Sequence, residues 1–146
     1  MALIRPVDVV ESITKHRDLM LENWRETGFK FEFDPSLEAA ERMQEKGIMF
    51  ALGAFDGDQM IGYSTAMIAP HWFNPSQVWC MSDALFVKRD YRGGLTSGKL
   101  ILATEAEAKK RGATAMLWHT RAGTSLSEAF EARGYYPADY VMMKGL

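Results

Sequence analysis

LFVKRDYRGGLTSGKL, residues 85–100, decides how this chain is read. Leu85, Phe86 and Val87 form the end of an apolar strand, and a helical pattern resumes by Ser97. Gly93, Gly94 and Gly98 lie in the turn between them, with Lys88, Arg89, Arg92 and Lys99 around it. Small residues let main-chain N–H groups converge on one point, and a helix start adds its positive dipole end. Such a turn suits a phosphate or diphosphate. The same pattern also serves a plain strand-to-helix turn with solvated charges. A nucleotide P-loop would need Ser or Thr after Gly98-Lys99 to hold Mg²⁺, and Leu100 stands there.

Outward from this turn the chain alternates in texture. Upstream, Met49 to Phe55 and Ile61 to Ile68 flank Asp56-Gly57-Asp58 and read as a β-hairpin. The segment Pro70 to Pro75 reads as a loop before a third strand, Val78 to Val87. Downstream, the helix from about Ser97 ends at Lys109, Lys110, Arg111 and Gly112, which suit a C-terminus. Thr114 to Thr120 follows as a short apolar strand. Ser125 and Glu128 then open a helix carrying Leu126, Ala129 and Phe130 that stops at Gly134. Tyr140 to Met143 reads as a last strand. Ahead of the hairpin, Asp8 with Glu11 caps one helix that holds Val9, Ile13, Met20 and Trp24 at helical spacing. Asp34-Pro35 opens a second with Leu37, Ala40 and Met43, stopped by Gly47. Ala2 to Arg5 offers a first strand. The expectation is a single α/β domain over residues 1–146, a mixed, mostly antiparallel central sheet flanked by about four helices.

Composition sets the outer limits. With 146 residues, 47% of them apolar and 25% charged, one sizeable core is affordable and disorder is disfavoured. No apolar run approaches the roughly 20 residues that span a bilayer, and the start carries no secretion-signal pattern, so no membrane partner and a cytoplasmic location are expected. The single cysteine, Cys80, excludes a disulfide framework, and the three histidines, His16, His71 and His119, lack metal-ligand spacing, so no metal is expected. A net charge of −2 gives no strong nucleic-acid signal.

Val87, then Asp90-Tyr91-Arg92-Gly93-Gly94 and a helix, resembles the acetyl-coenzyme A loop of the GNAT superfamily of N-acetyltransferases. That loop normally reads Arg-x-x-Gly-x-Gly/Ala; Arg92 matches its start, while Leu95 and Ser97 depart from it. The likeness extends over about residues 47–146, through the hairpin Ala54 to Tyr63 and the helix end Ala129-Phe130-Glu131-Ala132-Arg133-Gly134-Tyr135. A short form with such a loop is similar to acetyltransferase-like proteins often found in phage genomes.

The resemblance implies acetyl-CoA as acyl donor and a small-molecule or protein amine as acceptor. It implies that Leu85, Phe86 and Val87 pair with the pantetheine arm. Arg92, Gly93, Gly94, Leu95, Thr96, Ser97 and Gly98, with Lys99 beside them, would face the diphosphate. Asp83, four residues before Val87, is the first candidate for the base, and equally suits an N–H acceptor or ion-pair partner at the sheet rim. His71 and His119 are second candidates, with a pocket wall and a half-buried histidine as their plainer roles. The family's usual tyrosine acid is replaced by Phe130. Tyr135, Tyr136, Tyr140 or Ser125 is left to substitute, or solvent protonates the thiolate. The usual cofactor-contacting Asn is replaced by Gly123. These departures keep a non-catalytic coenzyme A-binding or protein-interaction member of the fold as the alternative. A thiol hydrolase built on Cys80 is the remote third, and a homodimer is possible through the exposed pairing edges common in such sheets.

Overall fold

The computed structural model describes residues 1–121 and 124–146. A first strand, β1 (Leu3–Val7), leads into α1 (Val9–Lys15), α2 (Arg17–Thr27) and α3 (Leu37–Glu45). Three long strands follow, β2 (Met49–Asp56), β3 (Gln59–His71) and β4 (Asn74–Val87). A 3₁₀ turn at Arg89–Tyr91 precedes α4 (Thr96–Lys110), and β5 (Ala115–Leu117) and α5 (Leu126–Glu131) complete the set. The strands form one sheet in the order β1-β2-β3-β4-β5, antiparallel except for the parallel β4–β5 pair.

Helices cover both faces. On one, α2 sets Leu19 and Met20 against Phe55, Met60, Tyr63 and Phe86, while α1 and α3 set Val9 and Ala40 against Met49 and Ala51. On the other, Leu100 and Ala108 of α4 pack on Leu52, Ala54, Ile61, Val87, Phe50 and Cys80. Central β2 is therefore buried on both sides from Met49 to Phe55, and its sequence is accordingly a near-continuous apolar run. Two buried polar groups between the sheet and α4 satisfy each other: Thr104 and Ser64 hydroxyls lie 2.9 Å apart, with Thr104 donating to Leu100 O.

Several boundaries differ from the sequence reading; the expected strand Thr114 to Thr120 forms only over Ala115–Leu117, and the last helix ends at Glu131, before Gly134. The expected first helix is two, because the backbone at His16 leaves helical geometry (φ −120°, ψ 35°) and caps both; this makes five α-helices instead of about four. The cap of α3 is Ser36, which accepts from Ala39 N at 3.3 Å, instead of Asp34. The expected loop from Pro70 to Pro75 is mostly strand, since β3 continues to His71 and the turn contracts to Trp72-Phe73. Finally, the expected strand at Tyr140–Met143 does not form. Its β-favouring residues lie irregular and exposed, because β5 is only three residues long and offers little edge to extend.

Candidate active site

Antiparallel pairing runs Thr65↔Ala84 and then Ala66↔Ser82, so Asp83 is the extra residue of a β-bulge in β4. Ala66 and Ser82 face α4; Thr65 and Ala84 face α2. The bulge turns Asp83 to the α2 face, where the Thr65 hydroxyl donates to its Oδ2 at 3.2 Å. The carboxylate is exposed.

On its other edge β4 pairs with β5 only at Trp79, Cys80 and Met81. Past this point the pairing stops, and the edge of Asp83 to Val87 has no strand beside it among the described residues. His119, just beyond β5, closes the apex, its Nδ1 lying 2.8 Å from Ser82 O. Two residues on, Arg121 donates to Thr27 O at 2.8 Å and its guanidinium lies 6.0 Å from the Phe29 ring. That ties the apex to the α2–α3 connection, where Trp24 gathers Phe29, Phe31 and Phe33 with ring centroids within 5.1–5.7 Å.

The open edge leads to the glycine-rich turn. Gly93 has φ +82°, a backbone state that L side chains resist. Among the described residues, the amides of Gly93, Gly94, Leu95, Thr96, Ser97 and Gly98 donate to no backbone or side-chain acceptor. Six donors thus stay open at the start of a 15-residue helix with no side-chain cap. Leu95 is 75% exposed. Arg92 is turned inward, its Nε donating to Val87 O at 2.7 Å and its Nη2 gripping both Glu26 carboxylate oxygens. From the turn after α5, Arg133 comes close enough that a Cβ on Gly98 would lie 3.0 Å from its Nη2.

The remaining candidates scatter. His71 stands at the hairpin end with its ring 4.5 Å from Trp79. Six residues of strand separate it from Thr65, about 20 Å at 3.3 Å per residue, so it does not meet Asp83. Phe130 is buried and stacks on Trp118 at 5.0 Å. Tyr135 accepts from Trp118 Nε1 and donates to Glu105 at 2.7 Å; burial and that hydrogen bond hold its pKa well above the ordinary phenol value. Tyr136 and Tyr140 are exposed in the chain after α5. Gly123 lies outside the described residues. Cys80 is fully buried, its thiol pushed up to about 11 by desolvation, and neither His71 nor His119 reaches it by hydrogen bond. A thiol nucleophile is therefore set aside. Among the described residues no cluster of His, Cys, Asp and Glu suits a metal ion, and no helix is long and apolar enough to cross a membrane.

Sequence reasoning missed Glu26 and Thr65, which position the turn and the bulge. Neither partnership has a local signal, since both arise across distant elements.

A comparison with curated protein sequences finds no match. Solved structures share the fold at low identity. A Trypanosoma brucei acetyltransferase superposes with TM-score 0.78 at 16% identity, covering 100% of both chains. AAC(6')-Iy, in complex with the bisubstrate analogue CoA-S-monomethyl-acetylneamine, gives 0.78 at 19%, over 100% of this chain and 98% of its own. A ribosomal-protein-alanine N-acetyltransferase from Brucella melitensis gives 0.74 at 15%, over 99% and 98%. The family model described as acetyltransferase (GNAT) matches residues 16–135, from the break between α1 and α2 to Tyr135 beyond α5, so this chain belongs to the GNAT acetyltransferase family.

Proposed function

We propose that the chain is an N-acetyltransferase, moving acetyl from acetyl-CoA to a primary amine by direct attack in a ternary complex. The observation that carries this reading is the set of six open amides at the start of α4, continuous with the free edge of β4. A diphosphate satisfies converging donors at a helix N-terminus, and an amide-bearing arm pairs with a free strand edge.

In this reading the donor's diphosphate rests on the amides of Gly93 to Gly98, and its pantetheine arm runs along Leu85, Phe86 and Val87. The thioester then reaches the bulge, beside the Asp83 carboxylate. The acceptor approaches from the α2 face as an ammonium and transfers a proton to Asp83, directly or through water. Its nitrogen lone pair forms the C–N bond, the carbonyl oxygen gathers charge, and the C–S bond breaks as the tetrahedral intermediate collapses. The intermediate nitrogen releases its second proton, and the departing thiolate takes one. No tyrosine of the family's pattern stands ready to supply it. Phe130 has no hydroxyl, and the Tyr135 proton is committed to Glu105. Solvent protonation suffices, because a thiolate is already a competent leaving group.

A second reading, a CoA binder without turnover, is favoured by that same lack of an acid. The two are separated by titrating CoA and acetyl-CoA calorimetrically and then following thiol release with a panel of amines. Absence of binding by either ligand overturns both readings. Binding without thiol release from any amine overturns the transferase alone.

A further inference from the structure

Strand register builds a floor beside Asp83. Residues paired across neighbouring strands share a face. Met67↔Met81↔Leu117 therefore makes one row across β3, β4 and β5, and Ala69↔Trp79↔Ala115 makes the next. The residues between the rows, Ile68, Cys80 and Met116, pack towards Ala108 of α4. Both rows consequently lie on the opposite face, the one that carries Asp83. With strands about 4.8 Å apart and same-face residues about 7 Å apart, the floor spans roughly 10 by 7 Å.

Helices leave this floor open. Met67 packs into the α1–α3 cluster and forms its inner side, whereas Met81 is 44% and Trp79 37% exposed. The indole is held in place by the His71 ring at 4.5 Å. Neither row contains a side-chain hydrogen-bond group other than the indole N–H, and the one charge along β4 beside it is Asp83 at its head.

Such a surface discriminates between kinds of amine. A polyhydroxylated polycation would leave most of its hydroxyls and ammonium groups without partners over methionine, leucine and indole, a cost paid in lost affinity. An ammonium joined to a flat apolar ring finds one carboxylate for its one charge. Its ring lies within reach of the Met81 thioether and the Trp79 indole, which favour aromatic faces.

We infer that the acceptor is a singly charged primary amine joined by a short aliphatic tether to a flat apolar ring system, its ammonium at Asp83 and its ring on Met81 and Trp79. The inference rests on Asp83 marking the point where the acceptor nitrogen arrives in the proposed transfer.

Tryptamine and phenethylamine serve as probes, with ethylamine and the aminoglycoside sisomicin as counter-probes. Their kcat/KM with acetyl-CoA is expected to exceed that of both counter-probes by at least about tenfold, a difference of about 1.4 kcal/mol. Trp79→Ala is expected to raise the KM for tryptamine about tenfold with little change in kcat or in CoA affinity, and Trp79→Phe to recover most of the loss. Equal or better use of sisomicin, or a KM unmoved in Trp79→Ala, overturns the inference. Calorimetric binding of tryptamine to the CoA-saturated protein reads the floor without turnover. If tryptamine binds through Trp79 but no amine is acetylated, the transferase reading falls and the acceptor role falls with it, leaving the floor as a binding site only. If other amines are acetylated while tryptamine neither binds nor reacts, the inference falls alone.

Discussion

Arg92 and Glu26, 66 positions apart in sequence, meet through a single guanidinium nitrogen at 2.9 and 2.8 Å from the two carboxylate oxygens. The loop arginine thus fastens the glycine-rich turn to α2 and leaves the neighbouring amides to face outward. Its Nε holds Val87 O at 2.7 Å, and its charge lies 5.2 Å from the Phe86 ring. Both partners of the ion pair are about one-third exposed, so solvent screening limits its share.

Replacing Arg92 with Ala removes the ion pair, the hydrogen bond and the ring contact together. A loss of about 2 kcal/mol is expected in urea unfolding, with weaker CoA binding because the turn is no longer anchored. A change in CoA affinity with unaltered stability would instead assign Arg92 to direct ligand contact.

Leu95 departs from the family loop yet points to solvent. Leu95→Ala should leave CoA affinity within about twofold, whereas Leu95→Glu should weaken it by tenfold or more by bringing a carboxylate near the diphosphate. Calorimetry distinguishes them; a large effect of the alanine would mean that the leucine touches the ligand.

Asp83 is expected to act on turnover. Asp83→Asn should lower kcat by about 10²- to 10⁴-fold, the usual range for a positioned general base, while CoA affinity is kept. Thr65→Val removes the hydroxyl that orients the carboxylate and should lower kcat by a smaller factor. Unchanged turnover in Asp83→Asn would remove it as the base.

Tyr63 gives the fold an alkaline limit. Its phenol is raised from 10.0 to about 12, first by burial, against the lowering effect of Asn23, which donates to it at 2.6 Å. Below pH 10 both folded and unfolded chains keep the phenol neutral, and the full stability is present. Above it the unfolded chain ionises first, so stability falls as pH rises from 10 through about 12. The loss is on the order of 2–3 kcal/mol, and Tyr63→Phe should flatten that part of the pH profile of urea unfolding.

Cys80 should resist alkylation in the native state at pH 8, because its thiol is buried and raised to about 11. Mass spectrometry after iodoacetamide treatment is expected to show modification only when the chain unfolds.

Much of this protein could be read locally. The hairpin about Asp56-Gly57-Asp58, the cap at Asp8 and the strand–glycine turn–helix passage each depend on neighbours within a few residues. Periodicity and turn chemistry therefore determined the α/β class, the order of elements from β2 to α5 and the place of the open turn. Local patterns also misled where pairing mattered. Tyr140 to Met143 has the residues of a strand and no edge to join, and Trp72-Phe73 closes a ladder that looked like a loop.

Only the tertiary structure decided the surroundings of the candidate site. A one-residue bulge in β4 sets Asp83 on the α2 face beside Thr65, and no feature of residues 78–87 announces it. The ending of β4–β5 pairing at Met81, the Arg92–Glu26 tether and the apolar floor built from three strands share that origin. Each depends on register between segments tens of residues apart, where one step of slip reverses every side chain. A single strand's sequence states which residues alternate; its partners determine which of them meet.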